Sequence, residues 1–273
     1  MPELPEVEVV RRGLDPYVAG REIKNIRVLH PRANRGQEQP LEELLVGSTI
    51  SGTARRGKYL WLELAGQAAE DPHRPVVFIH LGMSGQIRIG HTDSAHIRLQ
   101  ASLSGGIELS FIDQRTFGRW LYAPLSSISH IARDPLEPEF DAAATARRIR
   151  SKKAPIKAVL LDQTVVSGIG NIYADEALWA AGIRPTKKAA ALLQRDAVAL
   201  VNHAQNVMAQ ALEVGGTSFD SLYVNVEGES GYFARSLNAY GRTGQPCRSC
   251  DGTIQRVVLA GRSTHYCPQC QTF

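Results

Sequence analysis

All four cysteines of the 273-residue chain fall in its last 27 positions, as Cys247-x2-Cys250 and Cys267-x2-Cys270 with sixteen residues between the pairs. This is the spacing of a zinc ribbon. Each tight turn presents two thiolates, and two turns at the ends of a hairpin complete a tetrahedron. The alternative, two disulfides, needs an oxidising compartment. The start, MPELPEVEVV, lacks a basic segment leading into an apolar one, so no secretory signal is expected and zinc is the reading adopted. Sulfur fills every tetrahedral position, so one structural zinc ion is expected, with no open site for substrate. Between the pairs, Thr253–Leu259 and Ser263–Tyr266 read as two strands joined by Ala260-Gly261-Arg262. Arg262 then stands at the tip of a metal-stapled hairpin, pointing outward; an ordinary solvated turn residue is the competing reading.

The rest of the chain divides into a β-rich front and a helical rear. Pro5, Glu6 and Glu8 ahead of Val9, Val10 and Leu14 mark a helix start, and Gly20 its end. Short β-branched runs follow at Ile23–Leu29, Lys58–Leu64, Val76–Leu81, Gln86–Ile89, His96–Leu103 and Ile107–Ile112. Two prolines in Asp134-Pro135-Leu136-Glu137-Pro138 suggest a hinge. Beyond it, helices are expected at Ala142–Ile149, Ile156–Asp162, Asn171–Ala181 and from about Ala189 to Val214. The fold class expected is α+β multidomain: a β-sandwich with a flanking helix at 1–134, a helical domain at 135–238 and the four-cysteine finger at 239–273.

A hydrophobic fraction of 43% supports full cores, which excludes disorder as the main state. No run of 18 apolar residues predicts a membrane span. The net charge of +4 is uneven: residues 1–140 hold 16 basic and 17 acidic side chains, residues 141–273 hold 15 and 10. The stretch 144–158 carries Arg147, Arg148, Arg150, Lys152, Lys153 and Lys157 and no acid. A solvated helix face and a phosphate-contacting face both fit it. Further on, Ser167-Gly168-Ile169-Gly170-Asn171 ends at a helix start, where glycines and exposed amides favour an anion; a tight interhelical turn is the plainer alternative.

Several segments together resemble one family. Met1-Pro2-Glu3-Leu4-Pro5-Glu6-Val7-Glu8, His80-Leu81-Gly82-Met83-Ser84-Gly85, Gly168-Ile169-Gly170-Asn171-Ile172-Tyr173-Ala174, Gly231-Tyr232-Phe233-Ala234, Tyr240-Gly241-Arg242 and the four-cysteine tail resemble bacterial formamidopyrimidine-DNA glycosylases, in order along nearly the whole chain. The related endonuclease VIII-like glycosylases typically begin Pro-Glu-Gly-Pro-Glu, so Leu4 favours the former branch. The resemblance implies a helix–two-turn–helix DNA-binding domain in the rear half. It implies excision of 8-oxoguanine and formamidopyrimidines from damaged double-stranded DNA, then strand cleavage at the abasic site. A monomer in the bacterial cytoplasm, associated with the nucleoid and not with a membrane, is expected.

Pro2 and Glu3 fit that chemistry. With Met1 removed, Pro2 is a secondary amine, and α-amino groups titrate near pH 7.7–8.0, so an appreciable fraction of it is a neutral nucleophile. Glu3 is tethered beside it as general acid. Pro5-Glu6 already accounts for a helix start, which leaves Pro2-Glu3 over. By resemblance, Lys58 contacts the lesion phosphate and assists β-elimination, and Arg262 grips the same phosphate and serves δ-elimination. His80, Asn171 and Tyr240 match phosphate-contacting positions, Lys152 matches a DNA-contacting lysine, and Lys157, in the matching basic stretch, is expected to bind DNA as well. Met83, Arg115 and Phe117 match the trio that fills the void left by an extruded nucleotide; read alone, Met83 and Phe117 would be core residues.

Three departures accompany the resemblance. The family's Asp-Pro-Arg-Arg-Phe-Gly stands as Asp113-Gln114-Arg115-Thr116-Phe117-Gly118, its Lys-His-Asp-His as Asp93-Ser94-Ala95-His96, and its Leu-Gly-Pro-Glu-Pro-Leu as Ile131-Ala132-Arg133-Asp134-Pro135-Leu136. They are expected to tune affinity and opposite-base preference. A catalytically silent damaged-DNA-binding protein, or a glycosylase for oxidised pyrimidines, are the competing functions.

Overall fold

Val7, Val10, Leu14 and Val18 recur at three- and four-residue steps, and this stripe makes the start of the chain an amphipathic helix, α1 (Leu4–Val18). The computed structural model, which describes residues 2–217, 226 and 236–272, buries all four side chains. The chain forms two compact units. One runs to His130 and includes a segment beginning at Gly215; the other comprises Ile131–Val214 and the C-terminal residues.

In the first unit α1 packs on a sandwich of two antiparallel four-stranded sheets. One has the order β1 (Ile23–Val28), β6 (Ile97–Leu103), β7 (Ile107–Ile112), β5 (Gln86–Ile89). The other runs β2 (Ile50–Arg56), β3 (Tyr59–Leu64), β4 (Pro75–His80), β8 (Arg119–Pro124). Both sheets and α1 contribute to one core, which includes Ile26, Leu60, Leu62, Val77, Ile79, Leu99, Leu109, Phe111 and Trp120. A short helix, α2 (Leu41–Leu45), buries Leu41 and Leu45 at the edge of this core.

The sequence pattern marks six of these eight strands to within a residue. It misses β2, in which only Ile50 is buried and the polar Ser51-Gly52-Thr53 and Arg55-Arg56 hide the alternation. It also misses β8, where Trp120 alone is buried.

The second unit contains α3 (Ala142–Arg150), α4 (Ile156–Leu160), α5 (Asn171–Ala180), α6 (Gln194–Glu213) and the hairpin β9 (Gln255–Leu259)–β10 (Arg262–Tyr266). Asp141 caps α3 by accepting the Ala144 amide hydrogen at 2.8 Å. The long helix expected from Ala189 begins at Gln194. Ala189–Ala191 form a separate 3₁₀ turn, and Arg150 Nε donates to the Leu192 carbonyl at 2.7 Å, holding extended backbone between the two.

The hairpin turn is shorter than expected. Ala260 (φ 49°) and Gly261 (φ 74°) form a two-residue turn of the I′ kind, and Arg262 pairs with Leu259 as the first residue of β10 instead of standing at the tip. Among the described residues no helix is long and apolar enough to cross a membrane. The Gly231-Tyr232-Phe233-Ala234 motif lies outside the described residues.

Candidate functional site

The expected site residues divide between the units. Pro2, Glu3, Lys58, His80, Met83, Arg115 and Phe117 belong to the first, and Lys152, Lys157, Asn171, Tyr240, Arg262 and the four cysteines to the second.

Pro2 and Glu3 are both buried. Glu3 is the N-cap of α1, which corrects the reading that left Pro2-Glu3 outside the helix start: Glu3 and Glu6 form a capping box, with the Glu3 amide hydrogen given to Glu6 Oε2 at 2.8 Å. The other Glu6 oxygen accepts the Thr217 amide hydrogen at 2.8 Å. One buried carboxylate thus braces the start of α1 against the segment that rejoins this unit. A turn further along, Glu8 pairs with Arg11, Arg12 and Arg55 at 2.8–2.9 Å. Burial opposes its charge, but the hydrogen bonds from Arg11 and Arg55 prevail and hold its carboxyl down at about 2.

Lys58 follows Gly57 (φ 55°) in the two-residue turn between β2 and β3, closed by the pair Arg56–Tyr59. Nearby, the His80 ring lies 5.5 Å from that of Tyr59, and its Nδ1 accepts the Gly82 amide hydrogen at 3.2 Å. That bond makes Nε2 the protonated nitrogen of the neutral ring. Burial first, then the positive fields of Arg119, Lys58 and Arg35, lower the His80 pKa to about 4. Three cations around a neutral donor favour an anion such as phosphate.

Met83 and Phe117 are 40% and 42% exposed, against their reading as core residues. They sit on adjoining loops. A Cβ on Gly82 would lie 2.5 Å from the Gly118 amide nitrogen, and one on Gly118 would lie 2.5 Å from the Phe111 ring, so two glycines permit the close approach. Buried Asp113 ties the loops together: Ser84 Oγ donates to it at 2.5 Å, and the Arg115 and Gly118 amides at 3.2 and 2.6 Å. Arg115 lies over the Phe117 ring at 5.2 Å. Thr116 adopts φ 55°, strained for a β-branched residue. Arg35 donates to the Thr116 and Phe117 carbonyls at 3.3 and 3.0 Å, and Arg32 to Thr116 Oγ1 at 3.3 Å. Arg35 does not stand out in the sequence, and Asp113 only as the first residue of its motif, because anchoring of a loop leaves no periodic signal.

In the second unit one face of α5 holds the C-terminal segment. Asn171 Nδ2 donates to the Ser263 carbonyl at 3.0 Å. Asp175 Oδ2 accepts the His265 amide hydrogen at 2.8 Å. Glu176 accepts the amides of Asn238, Ala239 and Tyr240, each at 2.8 Å, and burial pushes its pKa up against those bonds. Trp179 Nε1 donates to Cys247 Sγ at 3.3 Å. Sequence reasoning missed Asp175 and Glu176; two adjacent acids inside an otherwise apolar helix are the signal that could have found them.

The basic run before α5 is mixed. Lys152 is exposed, as a phosphate contact requires. Lys157 is placed otherwise than expected. It is 1% exposed, and its ammonium lies 2.7 Å from Asp175 Oδ1, 2.8 Å from the Ser263 carbonyl and 2.9 Å from Thr264 Oγ1. Arg262 is exposed at the start of β10.

The four cysteine sulfurs lie within 4.8 Å of one another, with Cys247–Cys270 at 3.8 Å and Cys250–Cys267 at 3.5 Å. Disulfides would require about 2.05 Å. A tetrahedron of sulfurs at about 2.3 Å from a central zinc has edges of about 3.8 Å, so the set fits that ion. The Ser249 and Gly252 amides, each 3.4 Å from a cysteine sulfur, favour the thiolate form.

Three family models match the chain: a formamidopyrimidine-DNA glycosylase N-terminal domain over residues 1–120, a formamidopyrimidine-DNA glycosylase H2TH domain over 131–222, and a zinc finger found in FPG and IleRS over 244–272. A formamidopyrimidine-DNA glycosylase of Corynebacterium aurimucosum is 64% identical over 271 residues, covering 99% of this chain and 96% of the relative. The crystal structure of Lactococcus lactis Fpg in complex with abasic-site DNA is similar, with TM-score 0.87, 33% identity and 99% and 100% of the two chains covered. The MutM (Fpg) protein from Thermus thermophilus gives TM-score 0.86 and 35% identity over 99% and 98%.

Proposed function

Because the chain belongs to the formamidopyrimidine-DNA glycosylase family, with full-length identity of 64% to one curated member, we propose that it excises oxidised purines from damaged double-stranded DNA and nicks the strand at the resulting site. The observation that carries the chemistry is the buried Pro2-Glu3 start, braced by Glu6.

With Met1 removed, the neutral Pro2 nitrogen attacks the sugar C1′; the glycosidic electron pair leaves with the base, which takes up a proton, and the nitrogen, now an ammonium, gives up its own proton. Glu3 protonates the ring oxygen as the C1′–O4′ bond opens, and the nitrogen lone pair completes an iminium with C1′. The iminium acidifies the C2′ hydrogen. Its loss as a proton drives the C3′–O bond electrons onto the departing phosphate, which is β-elimination, assisted by Lys58. Loss of the C4′ proton through the conjugated system expels the 5′-phosphate in the same manner, which is δ-elimination, served by Arg262. Water then hydrolyses the iminium and regenerates the amine.

Lys58, His80, Asn171, Tyr240 and Lys152 contact the phosphate backbone in this reading, with neutral His80 as a donor. Met83, Arg115 and Phe117 occupy the void left by the extruded nucleotide. One zinc ion bound by Cys247, Cys250, Cys267 and Cys270 cross-links the two cysteine turns and takes no part in the chemistry. The functional parts are 1–134, 135–238 and 239–273, and the protein acts as a monomer on DNA in the bacterial cytoplasm, at the nucleoid.

Borohydride added during reaction with an 8-oxoguanine:cytosine duplex tests this directly. A covalent adduct through Pro2 is expected. Lesion-selective binding with neither adduct nor nicking would instead identify a silent binding protein. Stronger excision of thymine glycol than of 8-oxoguanine would move the substrate to oxidised pyrimidines.

A further inference from the structure

Lys157 alone among the six basic residues of the 144–158 run is buried. An ammonium in that position costs several kcal/mol unless it is paired and fully hydrogen-bonded. Its partners include Asp175 on α5 and the Ser263 carbonyl and Thr264 hydroxyl on β10. Asp175 also accepts the His265 amide hydrogen, and Asn171 adds a second donor to the Ser263 carbonyl. Three consecutive residues of β10 are therefore fastened to α4 and α5, and the residue immediately before them is Arg262.

The cysteine turns and the ring contacts of His265 with Tyr240 and of Tyr266 with Arg184 hold the far end of β10, while Ser263 and Thr264, next to Arg262, are held by Lys157 and Asn171. Two strands alone are marginal in water, and Val258 on β9 is 71% exposed. A hydrophobic replacement of a buried ion pair is often neutral or better for stability, so stability alone gives no reason for a charge here. What the pair supplies is direction: an ammonium that must reach a carbonyl, a hydroxyl and a carboxylate at once admits a single height and register of β10.

We propose that Lys157 and Asp175 are positioning residues that hold the β10 strand so that Arg262 meets the lesion phosphate, setting how much of the nicked product proceeds through δ-elimination. The inference rests on the role given to Arg262 under the proposed function. Neither Lys157 nor Asp175 touches DNA in this arrangement, and neither is needed for attack by Pro2.

The test is the product ratio. Lys157→Met is expected to leave borohydride trapping within about twofold while the δ-elimination fraction falls about tenfold, the scale on which a displaced group loses its effect. Arg262→Ala added to Lys157→Met is expected to lower that fraction no further, since both remove the same function. An unchanged fraction in zinc-loaded Lys157→Met, or additive losses in the double variant, overturns the proposal. Should Lys157→Met not fold, Thr264→Val decides: it removes one acceptor at nearly constant volume, and a δ-elimination fraction equal to that of the unsubstituted chain overturns the proposal. If the unsubstituted chain traps but gives no δ product, the role of Arg262 fails instead. Amide exchange at Thr264 and His265 then tests the clamp by itself, with faster exchange expected in Thr264→Val and unchanged exchange counting against it.

Discussion

The Glu3 amide hydrogen is bonded to the Glu6 carboxylate at 2.8 Å, so the residue next to the proposed nucleophile is fixed by a side chain one helical turn away. Glu6 also holds Thr217. Glu6→Ala leaves both buried amides without that acceptor, at a cost of roughly 1–3 kcal/mol each. Unfolding by urea should show the loss. Trapping by borohydride, measured where the variant is still folded, should fall about tenfold or more as Pro2 loses its placement. Glu6→Gln keeps one acceptor oxygen and should lie between.

Removal of zinc should act on the second unit alone. A strong chelator, or serine at all four cysteines, is expected to loosen β9 and β10, abolish binding to duplex DNA and leave the sandwich folded. Metal content and amide exchange at Leu60, Leu62, Val77 and Ile79 in the sandwich core check the two halves of this claim. Persistent DNA binding in the metal-free protein would show that the finger does not position Arg262.

His80 gives the first unit an acid-sensitive term. Its pKa is about 4 in the fold against an ordinary 6.5, so between those values the unfolded chain binds the proton and the folded chain does not. Stability therefore falls as pH drops from about 6.5 towards 4, by roughly 3 kcal/mol in full. His80→Asn should flatten urea-unfolding stability across that window. Glu8, held at about 2, adds its own loss only below its ordinary value of 4.5, so the two slopes separate by pH.

Exposed Lys152 should contribute one phosphate contact. Lys152→Ala is expected to weaken binding to all duplexes alike and to reduce the slope of log affinity against log salt by about 0.9. Arg27, on β1, is the control and should change neither quantity. Equal effects at the two positions would remove Lys152 from the interface.

The loop that carries Arg115 and Phe117 is pinned by Arg35 through the Thr116 and Phe117 carbonyls. Arg35→Ala should loosen the wedge without touching Pro2. Excision opposite cytosine should slow, and discrimination among opposite bases should narrow, about tenfold in the ratio of kcat/KM values. Phe117→Ala should reproduce the effect.

What the sequence discloses depends on whether a signal is local. The cysteine spacing is local, and it identifies a ligand set whose sulfurs do converge. Apolar and polar residues alternate in Ile107–Phe111 and mark a strand, although the fold buries Leu109, Ser110 and Phe111 alike; Ile50–Arg56 is a strand too, but its half-exposed residues carry no period. Glu3-x2-Glu6 has the spacing of a capping box, but glutamate is not among the preferred N-caps, so the box emerges only in the fold. Lys157 is not readable. A basic run looks the same whether its members face water or a buried carboxylate eighteen residues ahead, and only packing distinguishes them. The positive φ of Thr116 is likewise a property of the loop that closes around it, not of the residue.

The face of α5 from Asn171 to Trp179 spans about 12 Å of rigid rod at 1.5 Å per residue. Along it, in order, are fastened the strand next to Arg262, the residues up to Tyr240 and a zinc-ligand cysteine. Their ordering is complete once the chain has folded, so contact with DNA at these points need not freeze a loose hairpin. Association there should carry little conformational-entropy loss, and the on-rate should be governed by charge and collision geometry instead of by a slow rearrangement.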